Sequence, residues 1–138
     1  VLVAYGDCLS DIDIQEMVES HRRQQSLATV AIAHPTGRNE ILALNEQGCY
    51  IGTKQGKKQK HSWVNACSMV LEARAFDYLK ENQENHFALS FMDCLAAHEP
   101  VQTYRHEGFW SPVETIRDKT WMENLWAQHK APWKVWED

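Results

Sequence analysis

The chain opens on an apolar run, Val1-Leu2-Val3-Ala4-Tyr5, that ends in Gly6 and Asp7. That is the pattern of a strand buried on both faces, delivering a carboxylate to the rim of an α/β sheet. Asp13 with Glu16 then fits a capping box, and Ile14, Met17, Val18 and His21 recur at helical spacing toward Gln25. Leu27 to Ala33, small and β-branched, is the next strand. Strand, helix and strand with short links make a βαβ unit, which predicts parallel pairing and a right-handed crossover. A site-forming strand at residue 1, with no initiator Met before it, suggests that something normally precedes it.

The remaining elements keep the α/β alternation. Ile41 to Leu44, Asn45 to Gly48 and Cys49 to Ile51 read as a hairpin, and Lys54 to Lys60 as a basic surface loop. Trp63 to Leu71 is a strand. Glu72 to Glu81 is a short amphipathic helix with Phe76 and Leu79 inward, and Phe87 to His98 a second helix with Phe91, Met92 and Leu95 on one face. Val101 to His106 is a strand, and Glu107 to Pro112 a loop with an aromatic pair. Thr115 caps the last helix, whose Trp121, Met122, Leu125, Trp126 and His129 form one stripe, and Pro132 ends it. No repeat, low-complexity tract or linker interrupts residues 1–138, which read as one domain.

A net charge of -5 argues against a nucleic-acid surface, whose footprint is basic. No apolar run approaches the ~20 residues of a membrane span. Cys8, Cys49, Cys67 and Cys94 show no C-x-x-C spacing, so reduced, mostly buried thiols in a cytoplasmic protein are expected. Five of the six tryptophans lie from Trp110 onward, which marks the C-terminal stretch as a packed aromatic unit.

Three stretches could carry chemistry. Asp7, at a strand end, is either a ligand for a divalent cation bridging phosphates or a cap for the next turn. Glu114 is either a second metal carboxylate facing Asp7 or an acid favoured by the dipole of the following helix. The lysines from Lys54 to Lys60 could hold a sugar phosphate or simply be solvated. The histidines lack metal spacing, and Cys8, which could face the cleft, reads as an inert thiol.

Val1 to Ile14, Arg105 to Lys119 (RHEGFWSPVETIRDK) and Leu125 to Trp136 (LWAQHKAPWKVW) together resemble the sugar-1-phosphate nucleotidyltransferases, most of all the glucose-1-phosphate cytidylyltransferase group. The resemblance runs over nearly the whole chain and in the family's order. It implies a nucleotide-binding α/β sandwich with a mixed sheet. It also implies attack by a sugar 1-phosphate on the α-phosphate of a nucleoside triphosphate, a reaction that needs positioning and charge neutralisation. Asp7 would bind Mg²⁺, Glu114 would stand where the family has a second aspartate, Asn65 would lie on a sugar-side strand, and Trp110 would line the substrate pocket.

The departures shape the expectation further. The family's Gly-rich, Arg- and Lys-bearing phosphate loop has no counterpart here. Its Glu-Lys-Pro motif would fall on Gln55-Gly56-Lys57, where Lys57 or Lys58 could substitute only with a shifted loop. Two family glycines after Asn65 are Ala66 and Cys67, which would crowd a sugar held against the backbone. The segment before Leu95 lacks the family's acidic, Trp-bearing pattern. The chain thus reads as a truncated, C-terminal portion of such an enzyme, inactive alone. Its alternative is a non-catalytic oligomerising or ligand-binding module. Val1 to Tyr5 should border exposed apolar surface, which calls for a homo-oligomer or for the missing half as partner.

Overall fold

The computed structural model describes residues 1–35, 41–54, 62–81 and 87–138. The elements are β1 (Leu2–Ala4), β2 (Cys8–Ser10), α1 (Ile14–Gln24), β3 (Ala28–Ala33), β4 (Ile41–Leu44), β5 (Tyr50–Lys54) and β6 (Val64–Leu71). A 3₁₀ segment (Ala73–Glu81), α2 (Phe87–His98), β7 (Val101–Arg105), β8 (Trp110–Pro112) and α3 (Ile116–Ala127) complete them. Six strands make a mixed sheet in the order β1-β6-β3-β7-β5-β4, and β2 and β8 make a separate two-stranded ribbon. Only β3 and β7 pair in parallel; the other pairings are antiparallel.

β3 is the centre of the sheet, and all six of its residues are buried. Alternation along it feeds two clusters. Val30 and Ile32 face Phe91, Met92 and Leu95 of α2, while Ala31 and Ala33 face Met17 of α1 and Trp110. Helices cover both faces, so a six-residue strand with no polar face other than Thr29 is what the layering requires. The α1 side is built from small sheet residues, Ala31, Ala33 and Ala66, that leave room for Met17 and Trp110.

The first strand departs from expectation. β1 is not buried on both faces: it is an edge strand, with Val1 65% and Leu2 45% exposed. Nor does it pair with β3. The two run in the same direction, but β6 is inserted between them, antiparallel to each. A later strand took the central slot because eight largely apolar residues bury more surface there than three can.

Other differences are local. Glu107 to Pro112 is not all loop, since Trp110 to Pro112 pairs with Cys8 to Ser10, an unanticipated strand. The segment after β6 is 3₁₀ rather than α-helical; Phe76 packs on the core as expected. The C-terminal stripe is not a core face. Met122 is buried, whereas Trp121 and Trp126 are half exposed, because α3 contributes to neither of the clusters under the sheet. Its aromatic rings meet one another instead: Phe109 with Trp121 and Trp133, and Trp126 with Trp136. The hairpin of β4 and β5 forms as expected, Asn45 Oδ1 accepting from the Gln47 and Cys49 amides and Gly48 adopting φ +79°. Among the described residues, no helix is long and apolar enough to cross a membrane.

Candidate functional site

A bulge in β6 sets the geometry of the site. Val30 pairs with Met69 and Ile32 with Asn65, so four steps along β6 oppose two along β3. Such an insertion turns a strand and re-aims its side chains. Within it Cys67 adopts φ +65°, the left-handed region that favours glycine. Its amide donates to Asn65 Oδ1 at 2.8 Å, and its carbonyl accepts from the Tyr5 amide at 2.9 Å. The buried Trp110 indole donates to Ala66 O at 3.1 Å, pinning the bulge from the α1 side.

The bulge carries the Cys67 sulfur to the start of β2. Cys67 Sγ lies 2.7 Å from Cys8 Sγ, and Cys8 Sγ lies 3.6 Å from Asp7 Oδ1. One ligand atom from each of Asp7, Cys8 and Cys67 lies within 4.8 Å of the others, with Asp7 exposed and both thiols half-buried. Cys8 is raised above the usual thiol range by its hydrogen bond to Cys67, by burial and by the Asp7 charge. Cys67 is lowered by that same hydrogen bond, against burial and the negative charges of Asp7 and Glu114.

The chain from β8 to α3 brings Glu114 there. The Val113 amide donates to the Asp7 carbonyl at 2.7 Å, so the residue before Glu114 is fastened to Asp7 itself. Thr115 and Asp118 form a reciprocal capping box, and Asp118 Oδ2 accepts from the amides of both Glu114 and Thr115. These bonds hold the Asp118 carboxyl below the usual carboxylate range. Glu114 is exposed beside a cavity of 470 Å³, lined by Gly108, Phe109, Ser111, Pro112, Asp118 and Trp121 among others.

The rim of this cavity is latched to β2. His106 Nε2 lies 2.8 Å from Phe109 O and 2.9 Å from Asp11 Oδ1, and the Asp11 amide donates to Phe109 O. A Cβ on Gly108 would lie 2.6 Å from Asp11 Oδ1, so the close approach needs glycine.

A second polar cluster lies at the carboxyl ends of the parallel pair β3 and β7, where open α/β sheets place ligands. His34 stacks on Trp63 with ring centroids 4.2 Å apart and contacts Glu107 Oε2 at 3.0 Å, while the Arg105 guanidinium lies over the Trp63 ring.

The sequence candidates are therefore distributed unevenly. The Val113–Asp7 bond sets the backbone of Glu114 next to Asp7. Asn65 and Trp110 lie at the bulge: Asn65 Oδ1 accepts from the Cys67 amide and its Nδ2 contacts Met92 Sδ, while Trp110 donates to Ala66 O and lines the cavity. Lys57 and Lys58 lie outside the described residues. Cys67 and Cys8 were not singled out as partners; the one signal was Cys67 standing where the resemblance expects glycine. Their pairing depends on the bulge, which no local pattern announces.

Two exposed carboxylates suit Mg²⁺, a hard cation that takes oxygen ligands and keeps several waters. The two sulfurs beside Asp7 do not, since thiolates select softer ions.

No protein-family model matches the chain. It is 33% identical over 137 residues to a glucose-1-phosphate cytidylyltransferase of Salmonella typhi, spanning 99% of this chain and 52% of the relative. A Salmonella typhimurium protein of the same name is 31% identical over 136 residues, again with 52% of its length matched. Among solved structures, a candidate glucose-1-phosphate thymidylyltransferase from Bacillus anthracis superposes with a TM-score of 0.72 at 16% identity, over 99% of this chain and 56% of that one. HddC from Yersinia pseudotuberculosis, complexed with GMP-PN, gives 0.67 at 16% identity, over 95% and 53%. The chain spans about half the length of the relatives it matches. Over that stretch it is similar in sequence to glucose-1-phosphate cytidylyltransferases and shares the α/β fold of the solved structures it superposes on.

Proposed function

We propose that this chain supplies the acidic part of a sugar-1-phosphate nucleotidyl-transfer site and does not complete the transfer alone. The observation that carries the reading is the Val113–Asp7 bond, which sets the backbone of Glu114, distant in sequence, next to Asp7 at the rim. Asp7 and Glu114 would hold Mg²⁺, which supplies neutralisation of phosphate charge when bound. Asp7 is held by its own carbonyl's bond to Val113, and Glu114 by the capped start of α3, so the backbone at both residues is fixed. Asn65 and Trp110 support this arrangement by fixing the bulge. Lys57 and Lys58 offer the charge for a sugar phosphate.

Pyrophosphate release from CTP, glucose 1-phosphate and Mg²⁺ tests the reading, together with calorimetry of Mg²⁺ binding. The expected result is background turnover by the chain and Mg²⁺ binding that is lost in the double variant Asp7→Asn, Glu114→Gln. Turnover by the chain alone, or binding indifferent to both carboxylates, overturns it.

A second reading is an oligomerising module. It is favoured by the exposed edge at Val1 and Leu2 and by the half-exposed Trp121, Trp126 and Trp136.

A further inference from the structure

We infer that Asp7, Cys8 and Cys67 form a binding site for a thiophilic divalent cation of the zinc type. The inference goes beyond the nucleotidyl-transfer reading and does not need it, because no nucleotide or phosphate enters the donor set.

The donors are already gathered. The two sulfurs are 2.7 Å apart, the Cys8 sulfur is 3.6 Å from an Asp7 oxygen, and all three ligand atoms fall within 4.8 Å of one another. A tetrahedral Zn²⁺ takes sulfur at ~2.3 Å and carboxylate oxygen at ~2.0–2.2 Å, so the sulfurs must stand ~3.8 Å apart and each sulfur ~3.5 Å from the oxygen. The separation of the Cys8 sulfur from the oxygen is nearly met, and that of the Cys67 sulfur is within 4.8 Å. The sulfurs must part by about 1 Å, a rotation of two half-buried side chains that leaves the backbone in place.

That backbone is held from several sides. Cys8 pairs with Pro112 in the β2–β8 ribbon, and Cys67 is fixed by Asn65 Oδ1 and by the Tyr5 amide. A site built on strands and a hydrogen-bonded bulge is more constant in geometry than one on free loops.

The charge balance also favours a dication. Asp7 belongs to the donor set, and Glu114 follows Val113, whose amide is bonded to the Asp7 carbonyl. Each thiol gives its proton to solvent as its metal–sulfur bond forms, so an uncompensated cluster would become strongly negative. Two sulfurs and one oxygen leave a fourth position for water or for Glu114. The sulfurs set the selectivity: Zn²⁺ and its analogues accept such donors, and Mg²⁺ does not.

Anaerobic titration of the reduced chain with Co²⁺, without nucleotide, tests the site. The expected result is the intense visible absorption of tetrahedral cobalt with a thiolate-to-cobalt charge-transfer band, abolished by Zn²⁺. Cys67→Gly suits the local backbone, so it should fold while losing affinity by about a hundredfold or more, beyond what outer-shell changes cost. Cys8→Ser and Asp7→Asn should weaken binding in the same sense, and Cys94→Ser should leave it unchanged. Octahedral cobalt spectra or equal affinity in Cys67→Gly overturns the inference. So does a Cys8–Cys67 disulfide that persists in mild reductant and blocks metal uptake, which would make the pair a redox couple.

Discussion

Cys67 concentrates the tension between backbone and chemistry. At φ +65° a side chain meets its own carbonyl, which costs about 1–2 kcal/mol for a residue other than glycine. Glycine there would remove the strain but enlarge the freedom of the unfolded chain, at about 0.5–1 kcal/mol. The difference predicts that Cys67→Gly is neutral to stabilising, by up to about 1 kcal/mol. Urea unfolding of the two proteins in reductant measures it. A loss larger than about 1 kcal/mol would mean that the Cys8–Cys67 contact itself stabilises the fold by more than a neutral hydrogen bond does.

At the scale of elements, the start of α3 is the joint that carries Glu114, and its capping box makes a pH-dependent prediction. Asp118 accepts from the Glu114 and Thr115 amides, so its pKa is lower folded than unfolded. A depressed carboxyl contributes stability that is full above its unfolded pKa of ~3.9 and is lost as pH falls through the lower folded value. Fluorescence of Trp121, within α3, should therefore report loosening of that end on acidification below about pH 4. Asp118→Asn should flatten the response, and an acid response unchanged in that variant would refute the assignment. Thr115→Ala, which removes the other half of the box, should cost about 1 kcal/mol.

This joint was legible in the sequence, and so were α1, the β4–β5 hairpin and the inward face of α2, because caps, turns and periodicity are local. The neighbours of β1 were not. An apolar run reports that it pairs, not with whom, and β6 claimed the central slot through length. For the same reason the Asp7–Glu114 convergence could be anticipated only through resemblance, whereas the Cys8–Cys67 pair, created by a bulge, could not be read at all.

For the whole molecule the open question is what covers β1. The sheet ends there on a three-residue strand with Val1 and Leu2 exposed, and among the described residues no other strand pairs with its outer side. Natural edges of this kind are blunted by charge, yet Val1 to Tyr5 carries no charged side chain. An unprotected apolar edge pairs with whatever strand is offered, and in a solution of this chain alone that strand is its own copy. Light scattering on a concentration series should therefore find association that grows with concentration. Leu2→Lys places a charge on the edge without removing a buried side chain, since Leu2 is 45% exposed, and should return the protein to monomer with little change in stability. If Leu2→Lys associates as strongly as the parent, the contact lies elsewhere. The half-exposed Trp126–Trp136 pair is then the surface to alter, and Trp126→Ser is the variant that separates the two. A parent chain that stays monomeric at every concentration would refute self-association outright and leave the edge free for a different partner strand.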